Sequence, residues 1–298
     1  MEITFLGTSS MVPTKNRNVQ AIYLEYVGEG ILIDCGEGTQ RQMNIAGINR
    51  LKVRKILISH WHGDHVSGLI GLIQTIGSCE NPKTLEIFGP EGTKKHLNHL
   101  LNSCIFDLRI EIKVHEIKTS SLKTIYENEN YEIKAISMNH NVPCLAYSFE
   151  EKDKRKMIKS KLEKFGLKGK LVGDLQKGLS VKINNKKVSP EDVSKLEKGK
   201  KVTFILDTAY NVNCEIIAKD SDLLISESTY DLKLQEKAKE YFHLTSKDAA
   251  TIAKNSNSKR LILTHFSQRY KSLDNLKKQA KDVFKNVELA KDFLKIKL

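Results

Sequence analysis

Short apolar runs bounded by turn residues recur along the chain and predict β-strands. These runs occupy residues 1–6, 21–26, 31–34, 55–58, 85–88, 110–115, 132–138, 145–149, 202–206, 222–227 and 261–264. Apolar positions at helical spacing, or helix-start residues before them, predict helices within residues 34–46, 66–76, 91–101, 155–165, from 245 or 246 onward, and 273–284, followed by a last strand. The chain therefore mixes strands and helices along its length, as α/β and α+β proteins do.

One short segment between a predicted strand and a predicted helix concentrates metal-binding residue types. Four of them fall within six positions: His60, His62, Asp64 and His65. In an extended turn, His60 and His62 project to the same side, so both can bind one metal ion. Asp64 and His65 begin the helix and can face a second ion. Imidazole and carboxylate ligands without a nearby thiolate suit zinc. Isolated histidines are usually surface or core residues, but this density favours a metal site.

Three further potential ligands follow predicted strands elsewhere in the chain. They are His140, Asp207 and His265. Because α/β folds collect their chemistry at the carboxyl ends of strands, we expect these side chains to join the histidine cluster. They would complete a two-metal site with a bridging carboxylate. Any one of them alone is more typical of an ordinary turn residue.

Asp34 also ends a predicted strand and opens the segment 34–40. Its carboxylate either orients the histidine cluster through a hydrogen bond or caps the turn. We favour the capping role.

The chain carries a large positive charge that is concentrated in one segment. Its 298 residues have a net charge of +13 and a pI near 9.3, which points to nucleic acid or an anionic membrane surface as a partner. Residues 151–201 contain 17 Lys and Arg against 7 Asp and Glu, so they hold +10 of that charge. With several glycines and few large apolar residues, the segment is expected to bury little apolar surface and to project from the core. A solvated surface is the plainer interpretation, but such concentrated charge suits a phosphate backbone.

The sequence gives no sign of export or of membrane insertion. The amino terminus has no basic region before an apolar one, and no apolar run approaches the length of a membrane span. The five cysteines are scattered and never spaced C-x-x-C: Cys35, Cys79, Cys104, Cys144 and Cys214. We therefore expect reduced thiols in a cytoplasmic protein with no membrane partner.

The segment His60–His65 resembles the signature of the metallo-β-lactamase superfamily. That resemblance implies an αββα sandwich, in which two β-sheets are flanked by helices. It implies a single domain over residues 1–298 with a basic arm inserted at 151–201. The superfamily is chemically broad, so the motif implies a class of metal site and no particular substrate.

The resemblance narrows to the ribonuclease Z family, endonucleases that remove the 3′ trailer from precursor tRNA. It runs nearly end to end, and the basic segment falls where that family carries its tRNA-binding arm. The matching segments are Phe5–Thr8, Pro13–Asn18, Asp34–Gln40, His60–His65, His140, Asp207–Thr208, Glu227, His243–Thr245 and Thr264–Tyr270.

By position, this resemblance implies two zinc ions per chain, one bound by His60, His62, His140 and Asp207 and the other by Asp64, His65, Asp207 and His265. It implies Asp64 as the proton acceptor, and His243 paired with Glu227 as the proton donor. The products would be a 3′-hydroxyl on the tRNA and a 5′-phosphate on the trailer. The resemblance also implies a homodimer.

Two other functions are compatible with the motif. The first is a small-molecule hydrolase of the same superfamily, such as a thioesterase, lactonase or sulfatase. The basic segment and the pair of His243 and Glu227 argue against it. The second is a non-catalytic RNA-binding module, and the full ligand set argues against that because a pure binder needs no open metal site.

Overall fold

Two large β-sheets flanked by helices make up most of the structure, a computed structural model that describes residues 1–80, 82–183 and 186–298. The described chain divides into two units. The main unit comprises residues 1–126, 133–149 and 201–298, and the basic unit comprises residues 127–132 and 150–200. The predicted fold class, two sheets flanked by helices, is confirmed.

The strands of the described residues are, in chain order, β1 (Glu2–Gly7), β2 (Ser9–Ser10), β3 (Ala21–Tyr26), β4 (Glu29–Ile33), β5 (Val53–Leu57), β6 (Leu85–Pro90), β7 (Ile112–Ile117), β8 (Lys123–Glu127), β9 (Tyr131–Ser137), β10 (Leu145–Glu151), β11 (Lys154–Met157), β12 (Val181–Ile183), β13 (Lys186–Val188), β14 (Ser194–Glu197), β15 (Lys201–Ile205), β16 (Leu223–Glu227), β17 (Leu261–Thr264), β18 (Phe266–Ser267), β19 (Val287–Leu289) and β20 (Lys295–Lys297).

The helices of the same residues are α1 (Thr39–Ile45), α2 (Gly63–Val66), α3 (Leu69–Gly77), α4 (Thr93–Leu101), α5 (Lys159–Lys164), α6 (Lys170–Gln176), α7 (Pro190–Val193), α8 (Val212–Ala218), α9 (Gln235–Glu240), α10 (Ser246–Asn255) and α11 (Asp274–Val283). Short 3₁₀ helices cover Arg50–Lys52 and Leu232–Leu234. No helix in the described part of the chain has both the length and the apolar character needed to cross a membrane.

The first sheet has the strand order β20-β1-β3-β4-β5-β6-β7. Its first strands pair antiparallel, and β4 to β7 run parallel. Side chains of α1, α3 and α4 share a hydrophobic core with this sheet. In α3 the buried side chains, Leu69, Leu72, Ile73 and Ile76, have the spacing of one helical face. The parallel arrangement brings the carboxyl ends of β4 and β5 to the same edge.

The second sheet has the order β19-β17-β16-β15-β10-β9-β8, and β15, β16, β17 and β19 run parallel. Helix α10 begins with a capping box in which Thr245 Oγ1 accepts from the Asp248 N–H, while Asp248 Oδ2 accepts from the Thr245 N–H at 2.9 Å. The predicted helix start at residue 245 or 246 is therefore confirmed. The carboxyl ends of β15, β16 and β17 again lie at one edge.

The basic unit has a small hydrophobic core of its own. Leu167, Leu175, Val181, Val188 and Val193 are buried together in it. The expectation that residues 151–201 bury little apolar surface was wrong, because medium-sized apolar side chains from distant positions pack into one cluster. Residues 184 and 185 of this segment lie outside the described residues.

The helix predicted within residues 155–165 is only partly correct. Helix α5 covers Lys159–Lys164, whereas Lys154–Met157 forms β11 and pairs antiparallel with β14. Pairing with a strand that is distant in sequence outweighed the helical spacing of apolar positions.

The two ends of the basic segment meet. The Glu151 N–H donates to Lys200 O at 2.9 Å, and the Lys200 N–H donates to Glu151 Oε2 at 3.1 Å. A Cβ at Gly199 would lie only 1.9 Å from Glu151 O, so glycine permits this close approach.

Candidate metal centre and active site

The predicted metal ligands lie just beyond the carboxyl ends of strands. His60 follows β5, His140 follows β9, Asp207 follows β15, and His265 directly follows β17. His62, Asp64 and His65 come from the loop and helix α2 that continue from β5. The structure brings all seven side chains together, although they span more than two hundred positions of the chain.

The first ligand group consists of His60, His62, His140 and Asp207, whose candidate ligand atoms all lie within 4.8 Å of one another. His62 Nδ1 is 2.9 Å from His60 Nε2 and 3.3 Å from His140 Nε2. His60 Nε2 is 3.7 Å from Asp207 Oδ2. Burial, together with His65, lowers the pKa of His60 well below its usual value. The ring is therefore neutral, as a metal ligand must be.

The second ligand group consists of Asp64, His65 and His265, beside the same Asp207. Asp64 Oδ2 lies 3.4 Å from His65 Nε2 and 3.5 Å from His265 Nε2. Asp207 Oδ2 lies 3.5 Å from His65 Nε2, and Asp207 Oδ1 lies 3.2 Å from His265 Nε2. Asp207 thus borders both groups, which is the position of a bridging carboxylate.

Three buried ligand atoms have no hydrogen-bond partner among the described residues. They are His65 Nε2, His265 Nε2 and Asp207 Oδ1. Buried polar atoms are nearly always paired, because leaving one unpaired costs about 1–3 kcal/mol. The three atoms lie close together, since His265 Nε2 is 3.2 Å from Asp207 Oδ1 and His65 Nε2 is 3.5 Å from Asp207 Oδ2. Imidazole and carboxylate donors of this kind fit divalent metal ions of the zinc type.

Each of four histidines is held by its outer ring nitrogen. His65 Nδ1 contacts Asp34 Oδ2 at 2.6 Å, His60 Nδ1 contacts Ser59 Oγ at 3.0 Å, His265 Nδ1 contacts Thr229 Oγ1 at 2.9 Å, and His140 Nδ1 contacts Phe242 O at 3.2 Å. An outer N–H donated to an acceptor fixes the tautomer and turns the Nε2 lone pair toward the metal. The arrangement is the one that metal-binding histidines usually have.

Asp34 does more than cap a turn, so the role favoured from the sequence was wrong. Its Oδ1 accepts from the Ser59 N–H at 2.7 Å, and its Oδ2 accepts from Ser59 Oγ and from His65. Asp34 holds a left-handed backbone with φ of +57°, as does His265. Such a conformation costs a non-glycine residue about 1–2 kcal/mol, and it is typical of functional sites.

Glycines let the segment after β4 pack tightly under the histidine loop. A Cβ at Gly36 would lie 2.2 Å from Asp64 O, and a Cβ at Gly68 would lie 2.2 Å from Gly36 O. The Cys35 N–H donates to His65 O at 2.7 Å in the same place. The close contact fixes the position of the ligands on α2.

His243 lies beside the ligand groups and pairs with Glu227. His243 Nδ1 is 3.0 Å from Glu227 Oε1 and 3.9 Å from Asp207 Oδ2. Burial lowers the pKa of His243, but Glu227 and Asp207 raise it to about 9. Thr229 Oγ1 donates to Glu227 Oε2 at 2.6 Å and so holds the carboxylate of this pair.

A cavity of about 730 Å³ opens beside the ligand groups, within the main unit. Asp64, Asp207 and His243 all line it. The Met11 N–H, also at the cavity wall, donates to Asp64 Oδ2 at 2.7 Å. Residues of both ligand groups therefore line one space together with His243, and that space is large enough for a substrate.

Some residues of the site carried no signal in the sequence. Ser59 and Thr229 are common residue types, and Met11 and Phe242 act through backbone atoms that every residue has. Proximity to a motif was the one available indication for Ser59, which directly precedes His60, and for Thr229, which follows Glu227 by two positions.

The arrangement matches known proteins first at the level of the fold. The metallo-beta-lactamase fold protein YhfI from Bacillus subtilis superimposes with a TM-score of 0.70 over 99% of this chain and 98% of that one, at 19% identity. A family model described as anti-Pycsar protein Apyc1 matches residues 1–156, just over half of the chain. The chain has the metallo-β-lactamase fold, and its ligand groups lie at the strand ends of that fold.

More similar proteins define the family. Ribonuclease Z from Methanothermobacter thermautotrophicus is 40% identical over 305 residues, which cover 100% of this chain and 97% of that protein. Human tRNase Z, short form (ELAC1), is 28% identical with a TM-score of 0.74, over 100% of this chain and 99% of that one. The chain therefore belongs to the ribonuclease Z family, and its residues 1–156 also belong to the family that the Apyc1 model describes. Ribonuclease Z proteins are metal-dependent endoribonucleases, so the chain is an enzyme that uses metal.

Proposed function

We propose that this enzyme is a zinc-dependent phosphodiesterase that removes the 3′ trailer from precursor tRNA by one endonucleolytic cut. The products are a tRNA with a 3′-hydroxyl and a trailer with a 5′-phosphate. One observation carries the proposal: Asp207 borders both ligand groups, and residues of both groups line the same cavity as His243, which pairs with Glu227.

Two zinc ions per chain are part of the proposal. One would be held by His60, His62, His140 and Asp207, and the other by Asp64, His65, Asp207 and His265. The unpaired buried atoms of His65, His265 and Asp207 support this ligand set. When bound, the two ions would supply an acidic water and neutralise charge on the phosphodiester.

Asp64 is proposed as the proton acceptor for the attacking water. Burial raises the pKa of Asp64, but His65 and His265 lower it well below its usual value, so the group is a carboxylate. The Met11 N–H fixes one carboxylate oxygen at 2.7 Å. A fixed carboxylate at the cavity wall can orient a water and take its proton.

His243 is proposed as the proton donor to the departing 3′-oxygen. An alkoxide is a poor leaving group, so a positioned acid is expected to contribute about 10²–10⁴-fold. Glu227 fixes the ring at Nδ1, and the ring lines the cavity that holds the ligand groups. Glu227 would thus keep the acid oriented toward substrate.

The basic segment, residues 151–201, is proposed as the arm that binds the tRNA. Its net charge of +10 suits contacts to the phosphate backbone, which provide affinity without sequence information. Its own hydrophobic core supports a folded arm in place of a flexible tail.

Incubating the zinc-loaded protein with a precursor tRNA that carries a 3′ trailer tests the proposal. Cleavage at one position with the stated ends is expected, together with about two zinc ions per chain by elemental analysis. Turnover of a small ester or lactone without cleavage of the RNA would favour a small-molecule hydrolase. RNA binding without metal or cleavage would favour a binding module.

The homodimer and the cytoplasmic location remain predictions. Analytical ultracentrifugation of the purified chain checks the first, and imaging of a tagged chain in its own cells checks the second.

A further inference from the structure

The wall of the active-site cavity carries two side chains that the proposed chemistry does not use. Tyr241 and Lys237 both line this cavity, at the carboxyl end of α9. The Tyr241 N–H donates to Lys237 O at 3.1 Å, so the two residues lie one helical turn apart on the same side of the helix.

Tyr241 presents an open aromatic ring to the cavity. It is 48% exposed even though Lys237 Nζ lies over its ring, 5.7 Å from the centre. By contrast, Tyr230 in the same wall is only 7% exposed and is covered by the Arg269 guanidinium at 4.9 Å. An open ring beside an ammonium group is the combination that single-stranded nucleic acids bind, because the ring stacks on a base and the cation attracts a phosphate.

We propose that Tyr241 and Lys237 form a subsite for the nucleoside whose 3′-oxygen departs, which is the last nucleotide retained on the RNA. The inference rests on the proposed function. Tyr241 lies two positions before His243, the proposed donor of a proton to that oxygen, and both side chains line one cavity. Tyr241 stacks on the base, while Lys237 steadies the ring and attracts the adjoining phosphate. Stacking accepts every base, so the subsite positions this nucleoside without selecting its sequence.

Substitutions in the full-length, zinc-loaded enzyme test the subsite. Base stacking on an aromatic side chain is worth about 5- to 150-fold in binding, so Tyr241→Ala should lower kcat/KM for precursor tRNA by that order. Tyr241→Phe keeps the ring and should stay close to wild type. Lys237→Ala should lower kcat/KM, whereas Lys239→Ala removes the same charge from the same helix and should not. Lys239 pairs with Glu236 at 2.8 Å and does not line this cavity.

Two abasic substrates show which nucleoside the ring contacts. On a substrate that lacks the base of the last retained nucleotide, Tyr241→Ala and wild type should have nearly the same kcat/KM. On a substrate that lacks the base of the first trailer nucleotide, Tyr241→Ala should still show its full loss of kcat/KM relative to wild type. The reverse pattern, or an equal loss on both substrates, overturns the subsite. Thermal melting and zinc content separate a folding defect from this result, and Lys237→Ala provides a second variant.

The proposed function and the subsite fail in different ways. If the wild-type enzyme does not cut unmodified precursor tRNA, the proposed function fails and the subsite fails with it. If the wild type cuts it and Tyr241→Ala cuts it equally well, only the subsite is overturned.

Discussion

Five of the seven predicted metal ligands contact a second residue that sets their orientation, namely His60, Asp64, His65, His140 and His265. Thr229 shows how compact this support is, because one hydroxyl serves two functional groups. Its Oγ1 donates to Glu227 Oε2 at 2.6 Å and lies 2.9 Å from His265 Nδ1. The hydroxyl therefore connects the proposed acid pair to a ligand of the second metal group.

Thr229→Val removes this hydroxyl and keeps the shape of the side chain. His265 then loses the acceptor for its outer N–H, and we expect zinc affinity to fall about 10–100-fold. Competition with a chromophoric chelator measures the change. Thr229→Ser retains the hydroxyl and should bind zinc nearly as the wild type does. Unchanged affinity in the valine variant would contradict this role of Thr229.

His243→Ala should distinguish two substrates by their leaving groups. A ribose alkoxide needs a proton to depart, so turnover of precursor tRNA should fall about 10²–10⁴-fold. A nitrophenolate departs without one, so cleavage of a nitrophenyl phosphodiester should change far less. Steady-state kinetics on both substrates measures this, with zinc content as the control. An equal loss of turnover on the two substrates, at unchanged zinc content, would mean that His243 only supports the structure of the site through hydrogen bonds.

The sequence indicated the candidate ligands of this site but, apart from Asp34, not the residues that orient them. His60 and Asp207 were informative as members of a set, because several potential ligands follow predicted strands, whereas one such residue alone is more typical of a turn. Ser59 and Thr229 occur everywhere in proteins, and the carbonyl of Phe242 belongs to the backbone. Only the folded chain brings such acceptors within 3.2 Å of an imidazole nitrogen.

At the scale of elements, long periodic segments were predictable and short paired ones were not. Helix α3 and strands β5 and β17 follow from buried apolar residues at fixed spacing. The short strands β2, β12 and β18 are two or three residues long, and each exists because a partner lies beside it. Such pairings depend on tertiary contacts that local spacing does not encode.

The start of helix α10 was predicted from the sequence, so substitutions in this helix can test whether its N-cap residue stabilises it. Thr245→Ala removes the hydroxyl that accepts from the Asp248 N–H, and it should lower the free energy of unfolding by about 0.5–2 kcal/mol. Denaturant unfolding measures it. Thr251→Ala, in the body of the same helix, should be neutral or slightly stabilising because alanine favours helices. Equal destabilisation by both would argue against the cap.

For the whole molecule, the predicted metal ligands and the most basic segment of the chain fall in different units. All seven predicted ligands belong to the main unit, while the segment with +10 of the net charge forms most of the basic unit. The sequence revealed this division through composition. It did not reveal the core of the basic unit, because residues such as Leu167 and Val193 are far apart in the chain and none is large.

Deleting residues 152–198 should separate RNA binding from catalysis. Because Glu151 and Lys200 are hydrogen-bonded, the remaining ends can be joined without a long linker. We expect severe loss of precursor-tRNA binding, with cleavage of a nitrophenyl phosphodiester largely retained. Binding should also vary less with salt, since fewer counterions are released. Filter binding at several salt concentrations measures this, and an unchanged salt slope would refute the assignment of the arm.

The meeting of Glu151 and Lys200 has a consequence for how such enzymes diversify. A segment whose two ends touch can be gained, lost or replaced as one unit, because the residues on either side of it can be joined without changing position. With the segment in its proposed role as the tRNA-binding arm, such an exchange would change the RNA-binding module and leave the catalytic residues in place. Exchanging this segment between relatives would therefore test whether it sets the substrate range independently of the chemistry.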